Sequence, residues 1–327
     1  ITALEIAGLN PAGVTNNNKL YMGDKNFWPL TLNRSFDDLI LGILKIKDKS
    51  DFRNDNITNI WDLVRLNKQE IINDYNNLIG NKNQRIINSK IENGSHMHMI
   101  GDKIYIGKNV SLNHILINSS EGPVWIGDNV TIMEGATIKG PAAILDGAVI
   151  KMGAKIYPGT TIGPYSKIGG EISNSIILGY SNKPHDGFLG DSYIGEWCNL
   201  GAGTNISNLK NNYSNVKLWN YSKEKFIDTG MQFCGLFMGD HSKCGINTMF
   251  NTGSVVGVFC NIFGSGYPRN FIPSFSWGGY HGFKEHSFKE ALMTAKIVTA
   301  RRDCQITVHD IDNFKQIFED TKKYRKK

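Results

Sequence analysis

One stretch of the sequence, from Ser181 to Tyr213, combines residues that could do acid–base chemistry. His185 is its single histidine, and it lies among glycines, asparagines and short hydrophobic residues. Histidine has a pKa of about 6.5 in water and can accept a proton from an attacking group at neutral pH. The glycine-flanked Ala202 offers a backbone N–H that a ligand can approach closely. His185 could equally be a structural residue, and the elements around it decide between the two.

Those elements follow a six-residue repeat. Isoleucine recurs at every sixth position from Ile126 to Ile168, and a small residue follows four positions after each of them except the last. Neither the 3.6-residue period of a helix nor the two-residue period of a strand produces this pattern. A period of six predicts a three-sided prism, with three hexads in each coil and each isoleucine stacked on the isoleucine one coil earlier. Strands on neighbouring coils would then pair at about 4.8 Å.

The same phase returns further along the chain, at residues 194–206 and 238–262, and an earlier coil is suggested near residue 106. The prism is therefore predicted to span roughly residues 100–265. Interruptions of the repeat predict excursions from the coil, where functional residues tend to lie. These interruptions are near residues 113–123, 173–190 and 209–235.

The hexapeptide pattern resembles that of the left-handed parallel β-helix acyltransferases, and this resemblance implies the hand of the coil and a homotrimer. The predicted fold is mainly β, a left-handed parallel β-helix with a small α/β N-terminal region and C-terminal helices. Apolar spacing predicts helices at 59–80, 286–302 and 311–324. The expected domains are a reduced or partial nucleotidyltransferase-like region at 1–99, a β-helix acyltransferase-like domain at 100–272 and a helical tail at 273–327.

The residues Asn182–Thr204, NKPHDGFLGDSYIGEWCNLGAGT, resemble the acetyltransferase site of the bifunctional N-acetylglucosamine-1-phosphate uridyltransferase/glucosamine-1-phosphate acetyltransferase family. They are closer still to related archaeal and bacterial sugar-1-phosphate nucleotidyltransferases that carry a β-helix domain. The resemblance implies that His185 is the catalytic base, that Asn199 contacts the amino sugar and that the N–H of Ala202 faces the thioester carbonyl. Asn208 is a further match on the sugar side, and acetyl-CoA is the implied co-substrate.

Other positions depart from the family or are matched by chemistry alone. Phe188 stands where the family often has a tyrosine, so one hydroxyl contact to the sugar phosphate is missing. Lys183 is a candidate for holding that phosphate, and Gly201 would leave room for the pantetheine arm of coenzyme A. Lys243 and Arg269 are candidate partners for the phosphates of coenzyme A, or else exposed basic residues.

The segment Phe27–Ile46 resembles the start of a nucleotidyltransferase domain, with Arg34 and Asp38 as the two residues that align. Such a domain needs a glycine-rich phosphate loop and carboxylates for Mg²⁺. The loop is missing from the sequence, so Mg²⁺ is expected only if nucleotidyl transfer takes place. The chain begins with Ile rather than Met, and we expect residues upstream of it.

Composition excludes several classes of function. The net charge of +6 comes largely from the C-terminal TKKYRKK, which predicts a solvated tail rather than a nucleic-acid surface. Five cysteines without a CxxC motif argue against a disulfide framework and against a structural zinc site. The sequence has no long apolar run and no signal-peptide pattern at its start, so no membrane span and a cytoplasmic location are expected.

The combined prediction is an acyl-CoA-dependent N-acetyltransferase that acts on an amino-sugar phosphate, with His185 as general base and no metal. One alternative is nucleotidyl transfer from a nucleoside triphosphate to a sugar-1-phosphate, and another is a non-catalytic trimeric scaffold. A further alternative is a zinc carbonic anhydrase that uses His241, His281 and His286, although the last two lie outside the hexad phase. His241 is also the second candidate for a residue that lines the cleft. The competing interpretation is that it has a structural role at a corner of the coil.

Overall fold

The computed structural model describes residues 24–50, 57–80, 84–89 and 96–325. From residue 86 to residue 279 the chain winds as a parallel β-helix with three faces, each of which is a ladder of short strands from successive coils. The predicted left-handed parallel β-helix is confirmed as the fold class. The first face has ten strands: β3 (Ile86–Ile87), β5 (Ile104–Ile106), β8 (Val124–Ile126), β11 (Ala142–Ile144), β14 (Thr160–Ile162), β17 (Ile176–Ile177), β20 (Tyr193–Ile194), β25 (Leu236–Met238), β28 (Ser254–Val256) and β30 (Phe271–Ile272).

The other two faces are built in the same way. The second face consists of β6 (Ser111–Leu112), β9 (Thr131–Ile132), β12 (Val149–Ile150), β15 (Lys167–Ile168), β18 (Asn182–Lys183), β21 (Asn199–Leu200), β26 (Lys243–Cys244), β29 (Asn261–Ile262), β31 (Ser276–Gly279) and the antiparallel β32 (Gly282–Glu285). The third face consists of β4 (Met97–Ile100), β7 (Ile115–Asn118), β10 (Thr137–Lys139), β13 (Lys155–Ile156), β16 (Glu171–Ser173) and β19 (Phe188–Gly190), followed by the pair β22 (Asn205–Ile206) and β27 (Met249–Phe250).

The isoleucine stack forms the interior of the prism. On the first face Ile126 lies opposite Ile144, which lies opposite Ile162, and all three side chains are fully buried. Burial of such a side chain contributes about 1.5–3 kcal/mol relative to leaving it exposed. The repeat therefore dictates both the register and most of the stability of the coils.

Two of the three predicted excursions are wrong. Residues 113–123 contain β7, and residues 173–190 contain β17, β18 and β19, so both segments remain in the coil. The hexad is broken there because the corners differ in length, while the inward side chains still stack, as Ile162 does on Ile177. The third excursion is real, since residues 209–235 leave the coil and form the hairpin β23 (Lys217–Asn220) and β24 (Lys225–Asp228).

The β-helix is longer than predicted at both ends. It begins with β3, before residue 100, and its second face continues past residue 272 through β31 and β32. The ring of Phe283 packs on the end of the interior stack. The expected boundaries at residues 99 and 272 therefore cut through the β-helix.

The described N-terminal residues cover the first face. They form a hairpin of β1 (Ile40–Leu41) and β2 (Leu44–Lys45), three short 3-10 helices and the helix α1 (Ile60–Ile79), which confirms the helix predicted at 59–80. Outside the β-helix, the β1–β2 hairpin is the only sheet in the described part of residues 1–99. That part therefore contains no parallel sheet of the kind that a nucleotidyltransferase domain needs. The 3-10 helices are Lys25–Phe27, Phe36–Asp38 and Ile46–Asp48.

Polar contacts fix this covering layer to the coils. Asn67 of α1 donates from Nδ2 to the carbonyl of Gly159 at 2.8 Å, and its Oδ1 accepts from the N–H of Gly42 at 2.7 Å. The buried hydroxyl of Tyr193, on the first face, donates to the carbonyl of Ile40 at 2.8 Å. Apolar side chains of the layer and of the first face share one hydrophobic core.

The two residues aligned with a nucleotidyltransferase both make ion pairs within the chain. Arg34 contacts Asp240 and lies 3.0 Å from Glu196, so it joins the N-terminal layer to the β-helix. Asp38 lies 2.8 Å from Lys47 on the same layer. Their contacts give both residues a structural role.

Helices at the C-terminus pack along the corner between the first and second faces. They are α2 (Phe288–Ala300), α3 (Val308–Asp320) and α4 (Lys322–Arg325), which agree with the predicted helices. Beneath them an aromatic ladder follows the corner, with one ring from each of six coils and ring centroids 4.3 to 6.2 Å apart. The ladder consists of Tyr165, Tyr180, Trp197, His241, Phe259 and Phe275.

Candidate active site

His185 lies at the corner between the second and third faces, in the short connection from β18 to β19. Its side chain is exposed, and it makes no hydrogen bond or ring contact with any of the described residues. Pro184 precedes it, and Gly187, two residues later, has a φ of +120° that only glycine adopts readily. The imidazole is therefore exposed to solvent, and Pro184 and Gly187 restrict the backbone that carries it.

Ala202 lies at the same corner on the next coil. The N–H of Gly203 donates to the carbonyl of Asp186 at 3.0 Å, and the N–H of Asn247 donates to the carbonyl of Ala202 at 2.7 Å. The first bond stacks the corner of Ala202 on that of His185, and the second joins it to the following coil, at the coil spacing of about 4.8 Å. The N–H of Ala202 has no acceptor among the described residues. An imidazole and an available N–H donor are thus neighbours at one corner.

Gly201 has a role other than the predicted one. A Cβ at this position would lie 2.5 Å from the backbone carbonyl carbon of Gly245 on the next coil. Gly187 is restricted in the same way, because a Cβ there would lie 2.1 Å from the carbonyl oxygen of Thr204. Close contact between coils therefore requires these glycines, and Gly201 does not serve mainly to leave room for a ligand.

Asn199 and Lys243 lie side by side on the second face. They are paired across β21 and β26, and Asn199 is also paired with Asn182 of the preceding coil. The ammonium of Lys243 donates to the carbonyl of His241 at 3.1 Å, and burial lowers the pKa of Lys243. Asn199 is three residues before Ala202, so an amide and a cation flank the corner on this side.

Phe188 starts the third face on the other side of the corner. Its ring contacts Gly190, where a Cβ would lie 2.5 Å from Cζ of the ring. The N–H of Phe188 donates to Oδ1 of Asn205 at 2.9 Å, and Nδ2 of Asn205 donates to the carbonyl of Gly203 at 2.9 Å. Asn205 was missed in the sequence, because its role depends on which coils are adjacent.

Asn208 lies at the far edge of the third face, close to Phe188. The same Cβ on Gly190 would lie 2.7 Å from Nδ2 of Asn208. That Nδ2 donates to Oδ2 of Asp191 at 2.6 Å, and Nδ2 of Asn174 donates to the other oxygen at 2.7 Å. Burial raises the pKa of Asp191. Asn208 is therefore held in place by a buried carboxyl group that the sequence did not predict as part of the site.

Two of the predicted binding residues lie elsewhere. Lys183 points into the interior of the prism and is 2% exposed, so it cannot bind a phosphate at the surface. Arg269 lines a groove of about 810 Å³ together with Lys210 and Lys217, three coils beyond His185 and at the opposite edge of the third face. Its guanidinium lies 5.3 Å from the ring centroid of Phe283. Arg269 is therefore separated from the corner that carries His185.

The remaining candidate histidines have structural positions. His241 belongs to the aromatic ladder, where burial and the nearby Lys243 and Arg34 lower its pKa well below the usual value. Nδ1 of the buried His286 lies 2.9 Å from the carbonyl of Phe259. In residues 24–50, 57–80, 84–89 and 96–325, no group of three or more histidine, cysteine or carboxylate side chains could hold a metal ion. No helix in this part of the chain has the length and apolarity that a membrane span requires.

Comparison with curated proteins gives matches to two kinds of acetyltransferase. The chain is 38% identical over 100 residues to the bifunctional sugar-1-phosphate nucleotidylyltransferase/acetyltransferase of Sulfurisphaera tokodaii, which covers 30% of this chain and 24% of that protein. It is 38% identical over 90 residues to the bifunctional protein GlmU of Methanocaldococcus jannaschii, covering 28% of this chain and 21% of that protein. The chain therefore matches less than a quarter of the length of these bifunctional relatives.

A third match extends further. The chain is 36% identical over 152 residues to the uncharacterized acetyltransferase YaiX of Escherichia coli O6:K15:H31, which covers 46% of this chain and 65% of that protein. No family model matches the chain. Among solved structures, the UDP-N-acetylglucosamine acyltransferase of Francisella novicida covers 73% of this chain and 86% of its own, at 17% identity and a TM-score of 0.28.

Proposed function

We propose that this chain, a relative of the bifunctional sugar-1-phosphate nucleotidylyltransferase/acetyltransferases, transfers an acyl group from acyl-CoA to an amine. The observation that carries the proposal is the corner shared by His185 and Ala202. It combines an exposed imidazole with an N–H donor that has no acceptor among the described residues. A general base and an oxyanion donor are the two groups that acyl transfer from a thioester requires.

The proposed reaction assigns one task to each group. The amine nitrogen attacks the thioester carbonyl carbon, and the imidazole of His185 accepts the proton that the nitrogen releases. The N–H of Ala202 donates to the oxygen as negative charge develops on it. When the tetrahedral intermediate collapses, the carbon–sulfur bond breaks and the imidazolium returns the proton to the thiolate. The products are the amide and free coenzyme A, and His185 is regenerated as a neutral base.

The side chains beside the corner support an amino-sugar phosphate as the acceptor. Asn199 can accept and donate hydrogen bonds to sugar hydroxyl groups, and the neighbouring Lys243 supplies positive charge for a phosphate. Phe188 gives an apolar surface on the other side of the corner, and Asn208 is fixed beside it by Asp191. Arg269 lies in a separate basic groove, which could take the phosphates of coenzyme A only if the co-substrate crosses the third face.

The surface of the prism supports a homotrimer. The first face is covered by residues 24–50 and 57–79 and the ladder corner by the C-terminal helices, whereas the corner that carries His185 is open. Two large apolar side chains are exposed along that open corner, Met152 at 69% and Ile246 at 72%. A second copy packed along this corner would cover both side chains. A second copy seated there would form the other wall of the cleft and exclude water from it.

The decisive experiment measures thiol release from acetyl-CoA in the presence of glucosamine-1-phosphate and other amino-sugar phosphates. His185→Ala should lower the rate by about 10²-fold or more, because the amine proton loses its acceptor. His309→Ala is the matched control, since His309 is an exposed histidine on α3 and should leave the rate unchanged. Absence of thiol release from the native chain with every amino sugar would exclude acyl transfer to this class of acceptor. Pyrophosphate release from nucleoside triphosphates, measured in parallel, would then identify nucleotidyl transfer.

A further inference from the structure

A lysine interrupts the apolar stack directly beneath the candidate site. On the second face Ile132, Ile150 and Ile168 occupy the inward positions of the three preceding coils, and Ile168 lies directly opposite Lys183. Leu200 and Cys244 occupy the same position on the following coils. The side chain of Lys183 is 2% exposed. A charged side chain in such a position is rare and needs interior hydrogen-bond partners.

The partners of Lys183 are carbonyl groups of the corner that carries His185. Its ammonium donates to the carbonyl of His185 at 3.0 Å and to the carbonyl of Gly169, on the preceding coil, at 3.4 Å. Neither carbonyl accepts a backbone N–H from any described residue. Without the lysine both would be buried or half-buried acceptors that lack a donor, at a cost of about 1–3 kcal/mol each that the removal of a buried charge offsets.

The corners of the two following coils carry a threonine donor. Thr204 donates its hydroxyl to the carbonyl of Gly201 at 2.6 Å, and Thr248 donates to the carbonyl of Gly245 at 2.8 Å. Each threonine stands four positions after the inward residue, and Gly187 is the residue at that position in the coil of Lys183. A side chain at Gly187 would collide with the coil below it. The interior donor must therefore come from another position, and Lys183 provides it.

We propose that Lys183 is a positioning residue for His185, because its interior ammonium bonds the carbonyl of His185 and so fixes the backbone from which the imidazole projects. This inference rests on the proposed function of His185 as a base. It deepens that proposal by naming the residue that holds the base in place from inside the prism.

Packing alone does not account for a lysine at this position. Burial lowers the pKa of Lys183 to about 8, which shows that its charged form is disfavoured in the interior. Replacement of buried charges by apolar side chains of similar volume is often neutral or stabilising. An isoleucine or methionine would continue the stack of the neighbouring coils. A lysine that serves only stability would thus be a poor choice, whereas a lysine that fixes the corner has a reason to be there.

The test uses Lys183→Met and Lys183→Ile, which keep the apolar stack and remove the donor. We expect both variants to unfold at a temperature equal to or above that of the native chain. We also expect kcat for thiol release to fall about tenfold, with KM for acetyl-CoA changed less than twofold. Ile150→Met is the matched control, because Ile150 has the equivalent inward position two coils earlier and should leave kcat unchanged.

A second readout does not depend on turnover. The imidazole resonance of His185, assigned by its loss in His185→Ala, should change its chemical shift or line width in Lys183→Met, whereas the resonance of His309 should not. Full kcat together with an unchanged His185 resonance in both variants would overturn the positioning role. A fall of the unfolding temperature in both variants would also overturn it, by making Lys183 a stabilising residue. If the native chain transfers no acyl group, the proposed function fails, and an unchanged resonance would separately refute the link between Lys183 and His185.

Discussion

Removal of Arg34 should detach the N-terminal layer from the β-helix. Its guanidinium contacts Asp240, whose side chain is 1% exposed, and it also pairs with the more exposed Glu196. Arg34→Met keeps much of the volume but leaves Asp240 as a buried charge without its cation. Loss of one partner from a buried ion pair typically costs about 3–5 kcal/mol. Asp240 would keep two donors, Nδ2 of Asn33 at 2.8 Å and the N–H of Glu196 at 2.9 Å. We therefore expect the lower end of that range, about 3 kcal/mol.

The assay is equilibrium unfolding in urea, followed by tryptophan fluorescence. Lys47→Met is the matched control, because its pair with Asp38 is partly exposed and should contribute no more than about 1 kcal/mol. In Arg34→Met with Asp240→Asn, most of the lost stability should return, since no buried charge remains. Burial raises the pKa of Asp240 and Arg34 lowers it, so this pKa should rise further in Arg34→Met. The stability lost in that variant should then be largest above this pKa and shrink as the pH falls through it.

Two results would refute this reasoning. The first is a loss below about 1 kcal/mol in Arg34→Met, which would mean that the pair behaves as a surface salt bridge. The second is a double variant as unstable as Arg34→Met, which would show that the arginine acts through packing rather than through the charge of Asp240.

Three further perturbations test the coils. Gly187→Ala should destabilise the chain much more than Gly153→Ala in thermal unfolding. A Cβ at Gly187 would lie 2.1 Å from a carbonyl oxygen, whereas a Cβ at Gly153 would have no atom of another residue beyond its chain neighbours within 4 Å among the described residues. Equal losses of stability would contradict the close coil contact. Trp197→Ala should cost about 2 kcal/mol in urea unfolding, since it removes a half-buried ring from the middle of the aromatic ladder, and an unchanged stability would mean that the ring contributes nothing there. Burial lowers the pKa of Lys183 to about 8, and the nearby Asp186 and Cys244 counteract this only in part. The contribution of Lys183 to stability is therefore present above its unfolded pKa of about 10.4 and is lost as the pH falls through about 8. The stability of the native chain relative to Lys183→Met should therefore rise by roughly 3 kcal/mol between these two pH values, and a difference that does not change with pH would contradict the burial of the ammonium.

The regular coils could be predicted from the sequence, and the irregular ones could not. From Ile126 to Ile168 a constant spacing reveals the inward positions directly, and the structure confirms them. Beyond Ile168 the corners become shorter or longer. An inward residue such as Lys183 is no longer apolar, so its residue type does not identify the position as inward. The sequence pattern then predicts an excursion where the backbone in fact continues in register. Spacing alone does not distinguish a changed corner from a departure of the chain.

The candidate site was likewise predicted from the sequence only in part. The resemblance brought together His185, Asn199 and Ala202, which lie on consecutive coils around one corner. The Asn208–Asp191 hydrogen bond and the interior role of Lys183 depend on which coils are neighbours, and no local pattern contains that information. The N-terminal region was predicted to be nucleotidyltransferase-like because Phe27–Ile46 resembles the start of such a domain. In the described residues its apolar side chains instead share a core with the first face.

The site lies where the repeat is least regular, and this has a physical reason. A regular corner satisfies its carbonyls with local donors and turns tightly around a small inward residue. In the corner from Pro184 to Gly187, a glycine stands where other coils have a small side chain, so the backbone needs a donor from another position. Lys183 supplies that donor from the interior and replaces an apolar contact with a hydrogen bond. The buried lysine beneath the exposed His185 is therefore a consequence of this departure from the hexad. In a β-helix of this kind, an inward residue that breaks the apolar stack points to the corner where chemistry should be sought.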